Sequence, residues 1–289
     1  MKTKLFLEGI VPSEGLLISA TPETFTKDGE SKHYYKHITH TSVESLRDSV
    51  LAASDSGNHA FYAMASFKEE SYTDATGKRK VRTQDNVKNI RCLFLDIDCN
   101  GGDKNYDSQR DGLLGLHKFI KETGLPQPTY IVNSGGGIHV YWAFSKDIPV
   151  EKWQPVANKF KQLVAHLKLK ADPVSADSAR ILRPIGTYNY KKKFSEPKPV
   201  TLLKDGKPYN FVDIAKIVLM CARSHNLQDT QVTPRKVDDA NSALGGGLDE
   251  FPPSDADKIA SKCQTLRAMR ESKGADQSEI EWYNCLGIL

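Results

Sequence analysis

The chain of 289 residues is short of several features that would assign a class at once. It has five cysteines, Cys92, Cys99, Cys221, Cys263 and Cys285, and no two form a CxxC pair. That spacing excludes a zinc knuckle and a disulfide framework, so no zinc is expected. An odd, scattered set of thiols suits a reducing compartment. No apolar run approaches the roughly 20 residues of a membrane span, and the early "LFLEGIV" is too short and too acidic for a signal peptide. The expectation is a soluble cytoplasmic protein with no membrane partner. The phosphate-binding loop GxxxxGK(S/T) is missing too. Neither sign of charge dominates: 40 Lys and Arg against 36 Asp and Glu leave a formal net charge of +4, so no overall field demands a nucleic acid. No internal repeat or low-complexity tract is visible.

What is present reads as ordinary globular protein, with 39% hydrophobic and 26% charged residues. The runs "KLFLEGIV", "GLLISATP" and "KHYYKHITH" look like strands. "TSVESLRDSVLAAS" looks like a helix capped by Thr41 or Ser42, with Glu44 placed to complete a capping box. "HAFYAMASF" and "NIRCLFLDID" read as buried strands on either side of a polar, basic loop over residues 68–88. A helix over residues 110–122 is followed by "TYIVNS" and "GIHVYWAF", paired as a hairpin across three glycines. The next helix, 150–167, carries Trp153, Val156, Phe160, Leu163, Val164 and Leu167 on one face. Strand–helix–strand–strand–helix and a further strand is the split βαβ pattern. The predicted fold is thus α+β, an RRM-like sheet with antiparallel pairs packed with helices. A catalytic domain over 1–225 is expected, then a flexible linker over 226–255 ("ALGGGLDEFPPSD") and a small, truncated helical module over 256–289.

Three stretches carry chemistry. In "CLFLDIDC", residues two apart on a strand share a face, so Asp96 and Asp98 project together while Ile97 packs behind. Two carboxylates that close repel unless a cation neutralises them, and a hard divalent ion, Mg²⁺ or Mn²⁺, is the natural occupant. A surface pair in a turn is the plain alternative. "DIDCNGGDKNYD" also opens like a calcium loop, but Asp107 stands where a bidentate glutamate belongs. Asp103 replaces an apolar residue there, and a strand precedes where a helix is required. In "NSGGGIH", glycines allow backbone amides close to an anion. Ser134 adds a hydroxyl and His139 points to the same end of the sheet. In "LKADPVSADSARILRPIGTYNYKKK", an acid precedes a basic, aromatic-interleaved run, with Asp172 and Asp177 both available.

In this order and spacing the three motifs resemble the archaeo-eukaryotic primase superfamily, and within it the primase–polymerase domains of phage and plasmid replication proteins (helicase–primases). "DID", "SGGGIH" and "ADSAR" match that family's acidic, S-x-H-like and third-acid motifs over about residues 60–195. The resemblance implies a template-dependent nucleotidyltransferase that makes or extends primers on single-stranded DNA by two-metal catalysis. It implies that Asp96, Asp98 and Asp177 ligate two divalent ions, Mg²⁺ or Mn²⁺, and that His139 contacts the incoming triphosphate. Ser134, Gly135, Gly136 and Gly137 would assist at the phosphates, with Arg180, Arg183 and Lys191 as further phosphate or template contacts. "RPIGT" departs from the R-x-P-G-T of many relatives and blurs the register, so Asp172 remains a rival to Asp177. Asp177 is preferred because it stands three residues before Arg180. Lys78, Arg79, Lys80, Arg82, Lys192 and Lys193 are candidates for holding DNA by charge. Implied partners are single-stranded DNA, NTP or dNTP, and a helicase in cis or in trans, during phage or plasmid replication in a host cell.

Two other classes compete. A single-strand nicking initiator or relaxase needs an H-x-H pair with a tyrosine, and Tyr188 or Tyr190 could serve only if such a pair existed. A non-catalytic single-strand binder could stack bases on Tyr141 and Trp142, but leaves the Asp96/Asp98 pair unexplained.

Overall fold

The computed structural model describes residues 2–27 and 30–227; the expected linker and helical module lie outside them, apart from the linker's first two residues. In chain order the elements are α1 (Lys2–Ile10), β1 (Leu17–Lys27), β2 (Glu30–His40), α2 (Val43–Asp55), β3 (Phe61–Ala63) and β4 (Ala65–Phe67). There follow β5 (Tyr72–Thr73), β6 (Arg79–Lys80), β7 (Val87–Asp98), α3 (Gln109–Thr123), β8 (Tyr130–Asn133) and β9 (Gly137–Pro149). The remainder are α4 (Val150–His166), β10 (Ile181–Leu182), β11 (Tyr188–Asn189), β12 (Lys198–Pro199), β13 (Thr201–Lys204) and α5 (Phe211–Ser224).

Two main sheets organise these elements: a five-stranded one in the order β13-β8-β9-β7-β4 and a four-stranded one in the order β10-β3-β1-β2. Every named strand pair is antiparallel. The α+β class expected from the sequence is the observed one, with one change of wiring. The place beside β7 that a strand after the second helix would fill is taken by β4, which precedes β7 in the chain. After α4 the chain instead crosses to the second sheet as β10, and β13 later joins the far edge beside β8.

Register assigns the faces of the larger sheet. Leu93 pairs with Trp142, Phe94 with Tyr141 and Asp96 with His139, and directly opposed residues share a face. The face of Ile97, Ile138 and Trp142 receives α3 and α4: Trp142 lies 5.6 Å from Phe160, and a Cβ on Gly112 would meet Ile97 and Ile138. Phe144 meets Phe211 of α5 on that side. The other face meets α1 through Phe6, 5.7 Å from Tyr141, and opens between the sheets near Asp96 and His139. With both faces covered, β7 and β9 read as nearly continuous apolar runs.

The first segment folds against the sequence reading. "KLFLEGI" is helix α1, because its buried residues Thr3, Phe6, Leu7 and Ile10 recur at helical spacing. Ser42 caps α2 by accepting from the Ser45 amide, but Glu44 does not complete a capping box; it pairs with Lys4 at 2.5 Å. "HAFYAMASF" is two strands, because the chain changes sheet at Met64, whose amide donates to the Arg180 carbonyl. The polar loop after β4 contains the small β5–β6 hairpin. Helix α5, which no motif announced, covers Phe144.

Candidate active site

A cleft of about 280 Å³ opens between the two sheets. β7 contributes Asp96 and Asp98 to its wall, and the β8–β9 hairpin contributes Ser134, Gly136 and His139. Asp172, Arg180 and Arg183 close it from the chain flanking β10, with Asn189 of β11 and Lys191 just after it. Among the residues singled out from the sequence, Asp96, Asp98, Ser134, Gly136, His139, Arg180, Arg183 and Lys191 therefore meet in one place. Alternation on β7 explains the acids: Ile97 is wholly buried, while the residues on either side of it face the opening.

The third acid that lines the cleft is Asp172, where the sequence favoured Asp177. The Asp172 amide donates to the Asp96 carbonyl at 2.8 Å. Arg180 Nη2 donates to Asp172 Oδ2 at 2.8 Å and to Asp96 Oδ2 at 3.2 Å. Asp177 does not line the cleft. Its Oδ1 accepts from Gln84 Nε2 and the Ala179 amide, and its carbonyl accepts from the Arg180 amide. It braces the turn that presents Arg180, which is why an acid stands three residues before that arginine.

His139 is 2% exposed. Burial pushes its pKa down to about 4, against the opposing pull of Asp96, so the ring is neutral at pH 7. Tyr62 OH donates to Tyr141 OH at 3.2 Å, and Tyr141 OH lies 3.3 Å from His139 Nδ1. With the Tyr141 hydroxyl donating its hydrogen bond to an unprotonated Nδ1, the ring hydrogen would reside on Nε2, the nitrogen 3.7 Å from Asp96 Oδ1. A buried relay of two tyrosines thus aims an N–H donor into the cleft. Neither Tyr62 nor Tyr141 drew attention in the sequence as part of the site; only the β9 alternation, which puts residues 139 and 141 on one face, pointed to the second.

The glycines serve packing first. Gly135 has φ +81°, and a Cβ there would meet Asn189 and Lys198 inside 3 Å. A Cβ on Gly137 would sit 2.3 Å from the Ile97 carbonyl oxygen. The Ser134 amide donates to the Gly137 carbonyl and the Gly135 amide to Asn133 Oδ1. Both are occupied within the turn rather than aimed at an anion, and Gly135 and Gly137 do not line the cleft. Asn189, 1% exposed, ties the turn to β11 through Ser134 O. It is a site residue the sequence reading missed, as are Tyr35, Phe61, Ile181 and Leu182.

The remaining basic candidates lie elsewhere. Arg82 is internal: it bonds the Ala179 carbonyl and His37 Nε2, so it is not offered to DNA. Lys80 is 3.4 Å from Asp74. Lys78, Arg79, Lys192 and Lys193 are exposed, outside the cleft. Tyr141 and Trp142 are fully buried, which overturns them as a stacking surface. The cleft itself holds a single histidine, and no H-x-H pair faces it.

The acids Asp96, Asp98 and Asp172 and the bases Arg180, Arg183 and Lys191 balance in the cleft. Among the described residues, no three His, Cys, Asp or Glu side chains converge on one point as a ready metal cage; the Arg180 guanidinium bridges two of the acids instead. Buried Nε atoms of both Arg180 and Arg183 have no hydrogen-bond partner. Each unmet buried donor costs roughly 1–3 kcal/mol.

The fold and cleft define a mixed α/β domain whose acids and arginines meet between two antiparallel sheets. No family model matches the chain. It is 32% identical over 117 residues to a replication protein of Clostridium perfringens, a stretch that is 39% of this chain and 27% of that protein. The aligned stretch thus spans about a quarter of that relative's length. Among solved structures the chain is similar to the AEP domain of the cyanophage S-2L primase–polymerase, with a TM-score of 0.48, 16% identity and coverage of 74% of this chain and 95% of that one. It is also similar to the primase RepB', with a TM-score of 0.43, 15% identity and coverage of 76% and 60%. The catalytic domain of RepB' in complex with initiator DNA gives a TM-score of 0.44, 13% identity and coverage of 78% and 94%. Among the described residues no helix is long and apolar enough to cross a membrane.

Proposed function

We propose that the chain is the catalytic part of a primase–polymerase, a nucleotidyltransferase that makes or extends primers on single-stranded DNA from NTP or dNTP. The observation that carries this reading is the meeting of three carboxylates with Arg180, Arg183 and Lys191 in one cleft. A nucleoside triphosphate with its divalent ions matches that mixed charge.

Asp96, Asp98 and Asp172 would hold divalent ions, Mg²⁺ or Mn²⁺; their oxygen-only donor set suits hard cations. When bound, such ions lower the barrier by neutralising charge on the attacking and leaving oxygens. A cation there would also take over from Arg180 the neutralising of Asp96 and Asp172, freeing its guanidinium for phosphate. His139, neutral and donating from Nε2, would hydrogen-bond a phosphate oxygen without adding charge. Arg183 and Lys191 would offset the triphosphate, while Ser134 and Gly136 form the floor beneath it. A helicase, in cis or in trans, is the proposed partner in the cytoplasm of a host cell, where phage or plasmid DNA replicates.

The test is incorporation of labelled nucleotides on single-stranded DNA, with and without an annealed primer, in Mg²⁺ or Mn²⁺. Metal-dependent product that Asp96→Ala/Asp98→Ala abolishes supports the reading, and product without a primer makes the protein a primase. A wild-type protein that incorporates nothing under any of these conditions sinks it. Strand cleavage with covalent attachment would transfer the assignment to a nicking enzyme.

A further inference from the structure

From two residues of the cleft's lining runs a file of rings that phosphate chemistry does not use. Tyr35 and Phe61 line the cleft with centroids 5.8 Å apart. His59 stands 6.1 Å from Phe61 and 6.0 Å from Tyr190, and Tyr190 stands 6.1 Å from Tyr188. The Arg183 guanidinium lies 4.6 Å over Phe61.

Register explains how distant parts of the sequence make one file. Ala20 of β1 pairs with both Phe61 and His37, and Pro22 pairs with Tyr35. Phe61 and Tyr35 therefore share a sheet face across two small residues. Along residues 188–190 the side chains alternate: Asn189 is buried in the Gly-rich turn's support, while Tyr188 and Tyr190 project the other way. Both tyrosines are anchored to the end of α2, Tyr188 by its amide on Ser54 Oγ and Tyr190 by its hydroxyl on the Ser54 carbonyl.

The inner rings are partly covered by one another, and the two ends are open. Tyr35 and Tyr188 are each 42% exposed. An open aromatic face on a fixed backbone, with exposed Lys191, Lys192 and Lys193 following in sequence, suits a ligand with flat apolar faces and a negative backbone. Unpaired bases on a phosphodiester strand have that chemistry; a duplex hides its base faces, and an apolar peptide gains nothing from interleaved Arg183, His59 and lysines.

We propose that Tyr35 and Tyr188 are stacking platforms for unpaired bases of the single-stranded DNA served by the cleft, held in place by Phe61, His59 and Tyr190, with Lys192 and Lys193 on the strand's phosphates. This rests on the primase–polymerase reading for the identity of the strand.

Fluorescence anisotropy, without nucleotide or metal, would compare a labelled oligo(dT) with an oligonucleotide of equal length and charge whose sugars are abasic. The wild type should prefer the base-bearing strand. Tyr188→Ala should lose about fivefold or more on oligo(dT), the weaker end of stacking on one ring, and little on the abasic strand; Tyr188→Phe should retain the preference. Tyr35→Ala should behave like Tyr188→Ala. No preference in the wild type, or equal losses on both strands in the alanine variants, overturns the proposal. If the preference holds but the wild type incorporates no nucleotide, the stacking surface stands and the catalytic reading fails; the reverse result keeps the catalysis and discards the platforms.

Discussion

The amide of Asp172 donates a 2.8 Å hydrogen bond to the carbonyl of Asp96. One backbone bond thereby fixes two acids from distant parts of the chain on one wall, and Arg180 locks their side chains together. Asp177, close by in sequence, has its carboxylate turned to Gln84 and the Ala179 amide.

The two acids should therefore differ sharply when neutralised. Asp172→Asn is expected to reduce nucleotide incorporation by about 100-fold or more, the scale of losing an electrostatic group at the reacting centre. Asp177→Asn should cost less than tenfold, through a loosened Arg180 turn, and should appear equally as a lower melting temperature. Single-turnover rates in Mn²⁺ would check this; the opposite ranking would return the third ligand to Asp177.

The Tyr62–Tyr141–His139 relay separates two conservative substitutions. Tyr141→Phe removes the partner of His139 Nδ1 and frees the ring to adopt the other tautomer. It should raise the KM for nucleotide by about 2- to 10-fold, the worth of one ordinary hydrogen bond. Tyr62→Phe leaves the Tyr141–His139 contact in place and should lower stability while sparing KM. Equal effects on KM from the two variants would mean that the relay does not orient the histidine.

The acids and the histidine were legible because each depends only on local alternation. Asp96, Asp98 and His139 lie on two strands whose period of two can be read directly, and antiparallel pairing then sets Asp96 opposite His139. The choice between Asp172 and Asp177 was not legible, because it turns on the short 3₁₀ segment Pro173–Ala176 between them, which rotates one acid in and the other out. Met64 hides in the same way: no local signal says that a strand will leave one sheet for another. The N-terminal run was misread because a nine-residue stretch supplies few periods to count, and its exposed Leu5 disguised the helical spacing of the buried set. Tyr141 and Trp142 could stack bases only from an open sheet face, and both faces of β9 are covered there.

The glycine turn offers a test between packing and anion binding. At Gly137 an added Cβ would lie 2.3 Å from the Ile97 carbonyl oxygen and 3.1 Å from the Asp98 Cα, so β9 must move away from the strand that carries the acids. Gly137→Ala should destabilise the protein by about 1–3 kcal/mol, typical of forced overpacking, and lower activity through displaced acids. Denaturant melts would check the first effect. A variant that keeps its full stability and loses only triphosphate affinity would restore the direct anion-cradling role.

Acid should weaken the fold through histidines buried in their neutral form. Burial, with the Arg82 charge adding to it, lowers the His37 pKa to about 4, and burial likewise lowers His40. An unfolded histidine titrates near 6.5. Above that pH both states are neutral and the stability is intact; as pH falls from about 6.5 towards 4, the unfolded chain takes up protons that the folded chain refuses, and stability is lost. His37→Gln keeps an acceptor for Arg82 Nε while removing one titration. Denaturation midpoints at pH 8 and pH 5 should differ less in His37→Gln than in the wild type. An equal difference in both would mean that His37 is protonated in the folded protein, and that the Arg82 contact does not hold it neutral.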